Sequence, residues 1–257
     1  MKQLHCETRG AGPDLVLLHG WGMGAQVWAP VLPELTARYR VTRVDLPGHG
    51  DSPVLAGDDL SLWLEALLAV APKGAVWIGW SLGGMLALAA AEACPDSISG
   101  VVSVASNLRF ISTRDWPDAI SPETFQDVVD GIAADPVKTL QRFIALQFLG
   151  VREAAAVPHH LRAQVAAARP SSAGLLAGLD MLRTIDNRSR VRNVKVPVQM
   201  LFGQKDKLVP PAVISAIQML NPAVDIRSIA GAGHAPFLTH TEVFLNTVKP
   251  FFAAHAG

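Results

Sequence analysis

Short apolar runs alternate with helical segments along most of the chain, and this alternation constrains the fold more than any other feature of the sequence. The apolar runs have the length of buried strands and lie at residues 15–19, 41–45, 75–80, 98–105, 196–203 and 225–229. Helical spacing lies between or after them, at residues 31–38, 60–70, 83–94, 211–220 and 241–254. Buried strands joined through helices are typical of a parallel sheet with crossover connections. The sequence therefore predicts an α/β protein with a mostly parallel central sheet flanked by helices, and Pro250 is expected to kink or shorten the last helix.

The middle of the chain, from about residue 107 to residue 190, interrupts this alternation because it contains no convincing strand. Helical patterns lie at residues 125–133, 136–148, 158–168 and 173–182, and Pro and Gly residues divide them. About eighty helical residues between two strands are far more than a simple connection needs. The sequence therefore predicts a helical lid at residues 107–190, inserted into a core formed by residues 1–106 and 191–257.

Composition limits the partners that the protein can have. Lys and Arg together number 22, as do Asp and Glu, so the global charge indicates neither a nucleic acid nor a membrane as partner. Half of the residues are hydrophobic, which excludes a disordered role. Cys6 and Cys94 lack metal-ligand spacing, and no signal-like or membrane-spanning apolar run is present. We expect a cytoplasmic monomer that needs no metal and no organic cofactor.

The pentapeptide Gly79-Trp80-Ser81-Leu82-Gly83 joins an apolar strand to a helix rich in Ala and Leu. It matches the G-x-S-x-G pattern, which places a nucleophilic serine on a sharp strand-to-helix turn. Five residues can match by chance, so the position between a strand and a helix is the informative part. The alternative is a glycine-rich turn whose serine caps the helix. We predict that Ser81 is a nucleophile.

A serine hydroxyl becomes an effective nucleophile when a neighbouring base takes its proton, and histidine, with a pKa of about 6.5, suits this role. His234 lies in a loop between the last predicted strand and the last helix, where it can reach the carboxyl edge of the sheet. Asp206 follows an earlier strand and can orient the histidine. The alternatives are a structural loop histidine and a turn or helix-capping aspartate, with Asp225 and Asp186 as weaker rivals for the carboxylate.

The oxyanion of an acyl-transfer reaction needs hydrogen-bond donors that are already in place. The backbone N–H of Leu82, at the start of the helix after Ser81, is one predicted donor. The backbone N–H of Trp21, in the loop after residues 15–19, is the other. We expect His19 to brace that loop, and Trp80 either to fill the core or to shape an acyl pocket.

These motifs resemble the α/β-hydrolase superfamily over essentially the whole chain, and Asp45-Leu46-Pro47-Gly48-His49-Gly50 resembles its D-x-P-G-x-G turn. Within it, the sequence is most similar to the family of pimeloyl-[acyl-carrier protein] methyl ester esterases of biotin synthesis. The segments that carry this resemblance are His19-Gly20-Trp21-Gly22, Gly79-Trp80-Ser81-Leu82-Gly83-Gly84, Val104-Ala105-Ser106, Asp115-Trp116-Pro117, Arg142-Phe143-Ile144-Ala145-Leu146-Gln147 and Ala235-Pro236-Phe237.

The resemblance implies hydrolysis of the methyl ester of a pimeloyl chain carried on acyl carrier protein, and small esters are further expected substrates. The family's ester-binding positions match Trp21, Ser81, Leu82, Phe143, Ile144, Ala145, Leu146, Gln147 and His234, with Phe143 and Leu146 as walls of an apolar slot. A general short-chain carboxylesterase, a lactonase, a C–C bond hydrolase and a hydrolase-fold binding protein remain alternatives.

Because the carrier is acidic, basic residues of the lid are expected to guide it. Lys138, Arg142 and Arg152 are the predicted contacts. Arg162 and Arg169 continue this basic stretch, in which Glu153 is the acidic residue. The alternative is that these side chains are the solvated faces of lid helices.

Overall fold

A central sheet organises the chain in a computed structural model, in which residues 3–55, 59–152, 157 and 171–257 are described. Its strands are β1 (Cys6–Arg9), β2 (Asp14–Leu18), β3 (Arg40–Val44), β4 (Ala75–Trp80), β5 (Ile98–Val104), β6 (Val198–Gly203) and β7 (Asp225–Ile229). The described strands lie in the order β1-β3-β2-β4-β5-β6-β7. β1 pairs with β3 in antiparallel orientation, and every other neighbouring pair is parallel. The prediction of a mostly parallel sheet is therefore confirmed.

The helices follow the strands much as the sequence predicts. They are α1 (Leu32–Thr36), α2 (Leu60–Val70), α3 (Leu82–Ala93), α4 (Pro122–Ala134), α5 (Pro136–Gln147), α6 (Ser172–Thr184), α7 (Arg188–Asn193), α8 (Val213–Leu220), α9 (Pro236–Thr239) and α10 (Thr241–His255). Short 3-10 helices lie at Ala25–Trp28 and Pro95–Ser97. Almost all of α3 is buried, because its small and aliphatic residues pack against β4 and β5. The core of the molecule therefore lies around the strand and helix that flank Ser81.

Helices α4 to α7 lie between β5 and β6 in the chain, where the sequence predicts the lid. Polar side chains define where three of them begin. Ser121, Asp135 and Ser171 each accept a hydrogen bond from a backbone N–H of the first turn of α4, α5 and α6, respectively. The helix predicted at residues 158–168 lies outside the described residues. The division into a core and a lid subdomain stays a prediction.

The last helix corrects one part of the expectation that Pro250 kinks or shortens it, since only the shortening is contradicted. Pro250 does not shorten α10, which continues through it to His255. Proline has no N–H to donate to the carbonyl of Asn246, four residues earlier in the helix. Both residues are exposed, so water can hydrogen-bond to this carbonyl instead. Buried residues on both sides of the proline, including Phe244, Val248 and Phe252, anchor both halves of the helix to the core. Packing of the apolar face therefore overrides the local preference.

Among the described residues, no helix combines the length and the apolar character that a membrane crossing requires.

Candidate active site

Ser81 occupies a strained turn at the carboxyl end of the central strand β4. Its backbone has φ 54° and ψ −116°, a conformation that residues other than glycine rarely adopt. The turn is tight enough that a Cβ on Gly79 would overlap the backbone of Gly83. A Cβ on Gly83 would lie 2.5 Å from the carbonyl oxygen of Leu18 at the end of β2. Glycine at these two positions therefore allows the strand, the helix and the neighbouring strand to meet beneath the serine.

Hydrogen bonds from β5 and the turn after it hold the strained residue on both sides. The Ser81 N–H donates to the carbonyl of Val104 at 2.9 Å. The hydroxyl of Ser106 donates to the carbonyl of Ser81 at 2.5 Å, within the buried interior. The Ser81 carbonyl also accepts the N–H groups of Gly84 at 3.0 Å and Met85 at 3.1 Å, in the first turn of α3. Together these hydrogen bonds satisfy the buried backbone groups of Ser81 and offset part of the cost of its strained conformation.

Ser81, His234 and Asp206 form a connected chain of hydrogen bonds. His234 Nε2 lies 3.0 Å from Ser81 Oγ, and His234 Nδ1 lies 2.8 Å from Asp206 Oδ2. All three residues are buried. Because a carboxylate can only accept, Nδ1 is the donor to Asp206, and Nε2 is left to accept the serine proton. The segments converge because β4, β6 and β7 are parallel and end at the same edge of the sheet.

Two backbone donors orient the carboxylate of Asp206. Its Oδ1 accepts hydrogen bonds from the N–H groups of Leu208 at 2.8 Å and Val209 at 3.0 Å. This leaves Oδ2 free for the imidazole of His234. A buried carboxylate would be costly without such partners, so the turn after β6 both stabilises Asp206 and aims it.

The backbone of His234 is held by two segments that are distant in sequence. The indole N–H of Trp80 donates to the His234 carbonyl at 2.7 Å, and the His234 N–H donates to the Gln147 carbonyl at 3.2 Å. Gln147 ends α5 in the predicted lid. Sequence reasoning missed both contacts, because neither partner lies near His234 in the chain and no local pattern signals them.

A small apolar cavity of about 30 Å³ lies between the lid segment and the core. Its walls include Trp21, Phe110, Ile120, Thr124, Phe125, Val128, Phe143, Leu146, Leu179, Leu182 and Leu208. The rings of Trp21 and Phe143 pack in a T-shaped arrangement, with 4.9 Å between their centroids. A cavity of roughly 10–15 Å³ holds one water molecule, so this cavity has room for about two, and an acyl chain can enter only if these side chains move.

The predicted ester-binding segment is divided between this cavity and the core. Phe143 and Leu146 line the cavity. Ile144 is completely buried and Ala145 is half-buried, and neither lines the cavity. The side-chain oxygen of Gln147 is buried and has no hydrogen-bond partner among the described residues. Leu179 and Leu182 are additional walls, and their spacing of three on α6 is the signal that could have suggested them.

The two predicted oxyanion donors lie on segments that adjoin Ser81. Leu82 is the first residue of α3, so its N–H is among those that have no partner within the helix. Trp21 follows Gly20, where an added Cβ would lie 3.3 Å from the Cβ of Ser81. The indole of Trp21 donates to the Leu175 carbonyl of α6 at 2.8 Å, which ties this loop to the lid segment. Oxyanion binding by the two N–H groups stays a prediction.

His19 braces the loop after β2, as expected. Its Nδ1 lies 2.8 Å from the Gly20 carbonyl, and its Nε2 accepts the N–H of Leu46 at 2.9 Å. Burial lowers the pKa of His19. Burial, with a smaller contribution from His19, also lowers the pKa of the neighbouring His49 to about 3. Both imidazoles are therefore neutral near pH 7.

The predicted carrier contacts are exposed. Lys138 and Arg142 lie four residues apart on α5 and so share one face of the helix, and Arg152 lies just beyond its end. Arg162, Arg169 and Glu153 fall outside the described residues. Contact with a carrier protein stays a prediction.

One group of possible metal ligands occurs within the described part of the chain. Ligand atoms of His5, Asp45 and Asp51 lie within 4.8 Å of one another. The Asp45 carboxylate is already engaged by His5 Nδ1 and by the N–H groups of Ala25 and Asp51. These hydrogen bonds explain the cluster without a metal ion.

A family model described as alpha/beta hydrolase fold matches residues 13–241. The chain belongs to this family. The crystal structure of a bromoperoxidase from Bacillus anthracis has the same fold, with a TM-score of 0.88 and 22% sequence identity over 97% of this chain and 95% of that chain.

Two curated relatives are similar to this chain over nearly its whole length. The chain is 39% identical over 252 residues to a protein of Methylococcus capsulatus, which covers 98% of this chain and 99% of the relative. It is 41% identical over 254 residues to a protein of Shewanella sp. (strain MR-7), which covers 98% of this chain and 95% of the relative. Both relatives are named pimeloyl-[acyl-carrier protein] methyl ester esterase.

Replacing Ser106 with alanine tests whether its hydroxyl stabilises the strained turn. Ser106→Ala removes one of three donors to the buried carbonyl of Ser81, which keeps the N–H groups of Gly84 and Met85, so the free energy of unfolding should fall by about 0.5–1.5 kcal/mol. Urea unfolding followed by circular dichroism measures the change. Ser103→Ala is the matched control, because the Ser103 hydroxyl is buried on β5 without a hydrogen-bond partner among the described residues. Equal losses in both variants would contradict a specific role for Ser106.

Proposed function

We propose that this carboxylic ester hydrolase cleaves the methyl ester of pimeloyl-[acyl-carrier protein] in biotin synthesis. The observation that carries the proposal is the hydrogen-bonded chain of Ser81, His234 and Asp206, in a protein about 40% identical to esterases of that name over nearly its whole length. A buried serine within 3.0 Å of an imidazole nitrogen has the geometry that nucleophilic catalysis requires.

In the proposed reaction, His234 takes the proton of Ser81 as the serine oxygen attacks the ester carbonyl. The tetrahedral intermediate collapses, and methanol leaves with the proton that His234 returns. Water then attacks the acyl-enzyme with His234 again as base, and His234 gives the proton to Ser81 Oγ as the serine–acyl bond breaks. The product is the pimeloyl chain, still on its carrier, with a free terminal carboxyl group. Asp206 keeps the imidazole in the tautomer whose Nε2 faces Ser81, and stabilises the imidazolium as it forms.

The N–H groups of Leu82 and Trp21 are the proposed donors to the oxyanion. Leu82 begins α3, so its N–H lies at the positive end of the helix dipole. Such donors stabilise charge that exists only in the transition state and the intermediate, and they therefore raise kcat. This role fits the approach of the β2 loop to Ser81, which the absence of a side chain at Gly20 permits.

The pimeloyl chain is proposed to occupy an enlarged form of the apolar cavity beside Phe143 and Leu146. The described walls carry no charged side chain, so the slot suits the methylene groups of the substrate. Because the cavity holds only about 30 Å³, Phe143 and its neighbours must move to admit the chain. Binding is therefore proposed to include a rearrangement of the lid segment.

The carrier is proposed to approach the exposed basic side chains of the lid segment, Lys138, Arg142 and Arg152. These charges suit an acidic protein and would steer it toward the site. The protein is further proposed to act in the cytoplasm as a monomer, without a metal or an organic cofactor.

Replacing the nucleophile tests the proposed chemistry directly. Ser81→Ala should lower kcat by roughly 10⁴-fold or more for methanol release from carrier-bound pimeloyl methyl ester, because the acyl-enzyme can no longer form. The wild-type gene should restore biotin-independent growth to a strain that lacks its methyl esterase, and the Ser81→Ala gene should not. Failure of the wild-type gene, together with efficient turnover of unrelated esters, lactones or C–C substrates, would favour one of the other hydrolase activities. Labelling by a fluorophosphonate without turnover of any ester would favour a binding protein.

Charge reversal tests the carrier contacts. The double variant Lys138→Glu, Arg142→Glu should raise KM for carrier-bound ester roughly tenfold at low salt, because it removes electrostatic attraction to the acidic carrier. KM for a small ester such as dimethyl pimelate should not change. Lys73→Glu is the control, since Lys73 is exposed before β4, at the opposite edge of the sheet from Ser81. Equal effects on both substrates, or an equal effect of the control, would contradict carrier contact at these residues.

A further inference from the structure

We infer that Trp80 is a positioning residue that holds His234 against Ser81 through a hydrogen bond from its indole N–H to the backbone carbonyl of the histidine. The donor–acceptor distance is 2.7 Å, and both residues are buried. This inference rests on the proposed function, because it assigns a means of placing the general base of that reaction.

The sheet supplies a rigid support for the Trp80 side chain. Trp80 is the last residue of β4, which pairs with β2 on one side and β5 on the other. Its ring is completely buried and packs edge-to-face against Phe237, with 5.2 Å between centroids. A Cβ at Gly20 would lie only 3.0 Å from the indole Cε3 atom. These contacts leave the ring little room to turn, so the direction of its N–H is fixed.

The His234 loop depends on such contacts more than the strands do. His234 lies between β7 and α9, outside the sheet's own ladder of hydrogen bonds. Its carbonyl is bound by Trp80, and its N–H is bound by the carbonyl of Gln147. The peptide groups on both sides of the histidine are therefore held. Fixing its backbone fixes the point from which the imidazole reaches Ser81 Oγ at 3.0 Å.

Trp80 is also the chain neighbour of Ser81. Trp80 is thus bonded covalently to the nucleophilic residue and by a hydrogen bond to the residue that carries the base. Because of this double link, Ser81 and His234 keep their separation if the lid segment moves. Displacement of a reacting group by about 1 Å can lower the rate roughly 100-fold. Loss of the Trp80–His234 hydrogen bond is therefore expected to lower kcat. The proposed substrate slot does not account for Trp80, which is absent from the described cavity walls.

The test compares Trp80→Phe with Trp77→Phe. Trp77 lies on the same strand and is also completely buried, but its indole N–H has no hydrogen-bond partner among the described residues. Positions 77 and 80 face opposite sides of the sheet, so the control leaves the site untouched. Each variant removes an indole from the core, whereas Trp80→Phe alone also removes the bond to His234.

The readouts are kcat and KM for p-nitrophenyl acetate, the rate of Ser81 labelling by a fluorophosphonate, and the midpoint of thermal unfolding. Trp80→Phe should lower kcat and the labelling rate by roughly 10- to 100-fold, while KM changes less than about twofold. Trp77→Phe should keep kcat within about twofold, with a comparable fall in the unfolding midpoint. Wild-type kcat in Trp80→Phe, equal losses in both variants, or a loss confined to KM would overturn the inference.

If Trp80→Phe does not fold, a replacement that keeps the shape of the indole ring tests the role of its N–H. Benzothienylalanine incorporated at position 80 keeps the bicyclic ring but has sulfur in place of the N–H, and it should reproduce the fall in kcat and labelling. Wild-type rates in this variant would overturn the inference. The labelling rate separates this inference from the proposed function, because it reports the placement of His234 whichever ester is the native substrate.

Discussion

The strained backbone of Ser81 is the constraint on which the site depends. A φ of 54° at a residue with a side chain persists only where the surroundings determine it fully. Here three features impose the turn: the tight approach of Gly79 to Gly83, the hydrogen bond that Ser81 N–H donates to the Val104 carbonyl, and the hydrogen bond that the Ser106 hydroxyl donates to the Ser81 carbonyl. The outcome is a hydroxyl at the carboxyl edge of the sheet, directly before a helix whose first N–H groups point outward.

The parallel topology then brings the other two groups to the same edge. β4, β6 and β7 each end beside it, and each is followed by one member of the Ser81, Asp206 and His234 chain. Local turns orient the carboxylate, through the N–H groups of Leu208 and Val209. The histidine has no comparable local support, and the distant contacts from Trp80 and Gln147 fill that role. Each of these hydrogen bonds is stronger in the buried interior than it would be in water, because the local dielectric constant is lower.

Local signals explain why so much of the fold was predictable. Apolar runs located the inner strands, and the G-x-S-x-G pattern with Asp206 and His234 after later strands located the three residues that the structure joins by hydrogen bonds. The remaining features depend on tertiary contacts that no short segment encodes. Trp80 reaches a carbonyl 154 positions away, α6 supplies cavity walls, and packing on both sides of Pro250 lets α10 continue. A sequence pattern reports propensity and spacing, and it does not report which buried donor will meet which acceptor.

Locating a fluorophosphonate adduct by mass spectrometry tests the central claim most directly, because this reagent reacts with a serine only when a neighbouring base activates it. We expect a single adduct on the peptide that carries Ser81, and loss of ester hydrolysis in proportion to the labelled fraction. An adduct on another residue, or full ester turnover by completely labelled protein, would contradict the assignment of Ser81, His234 and Asp206 as the catalytic group.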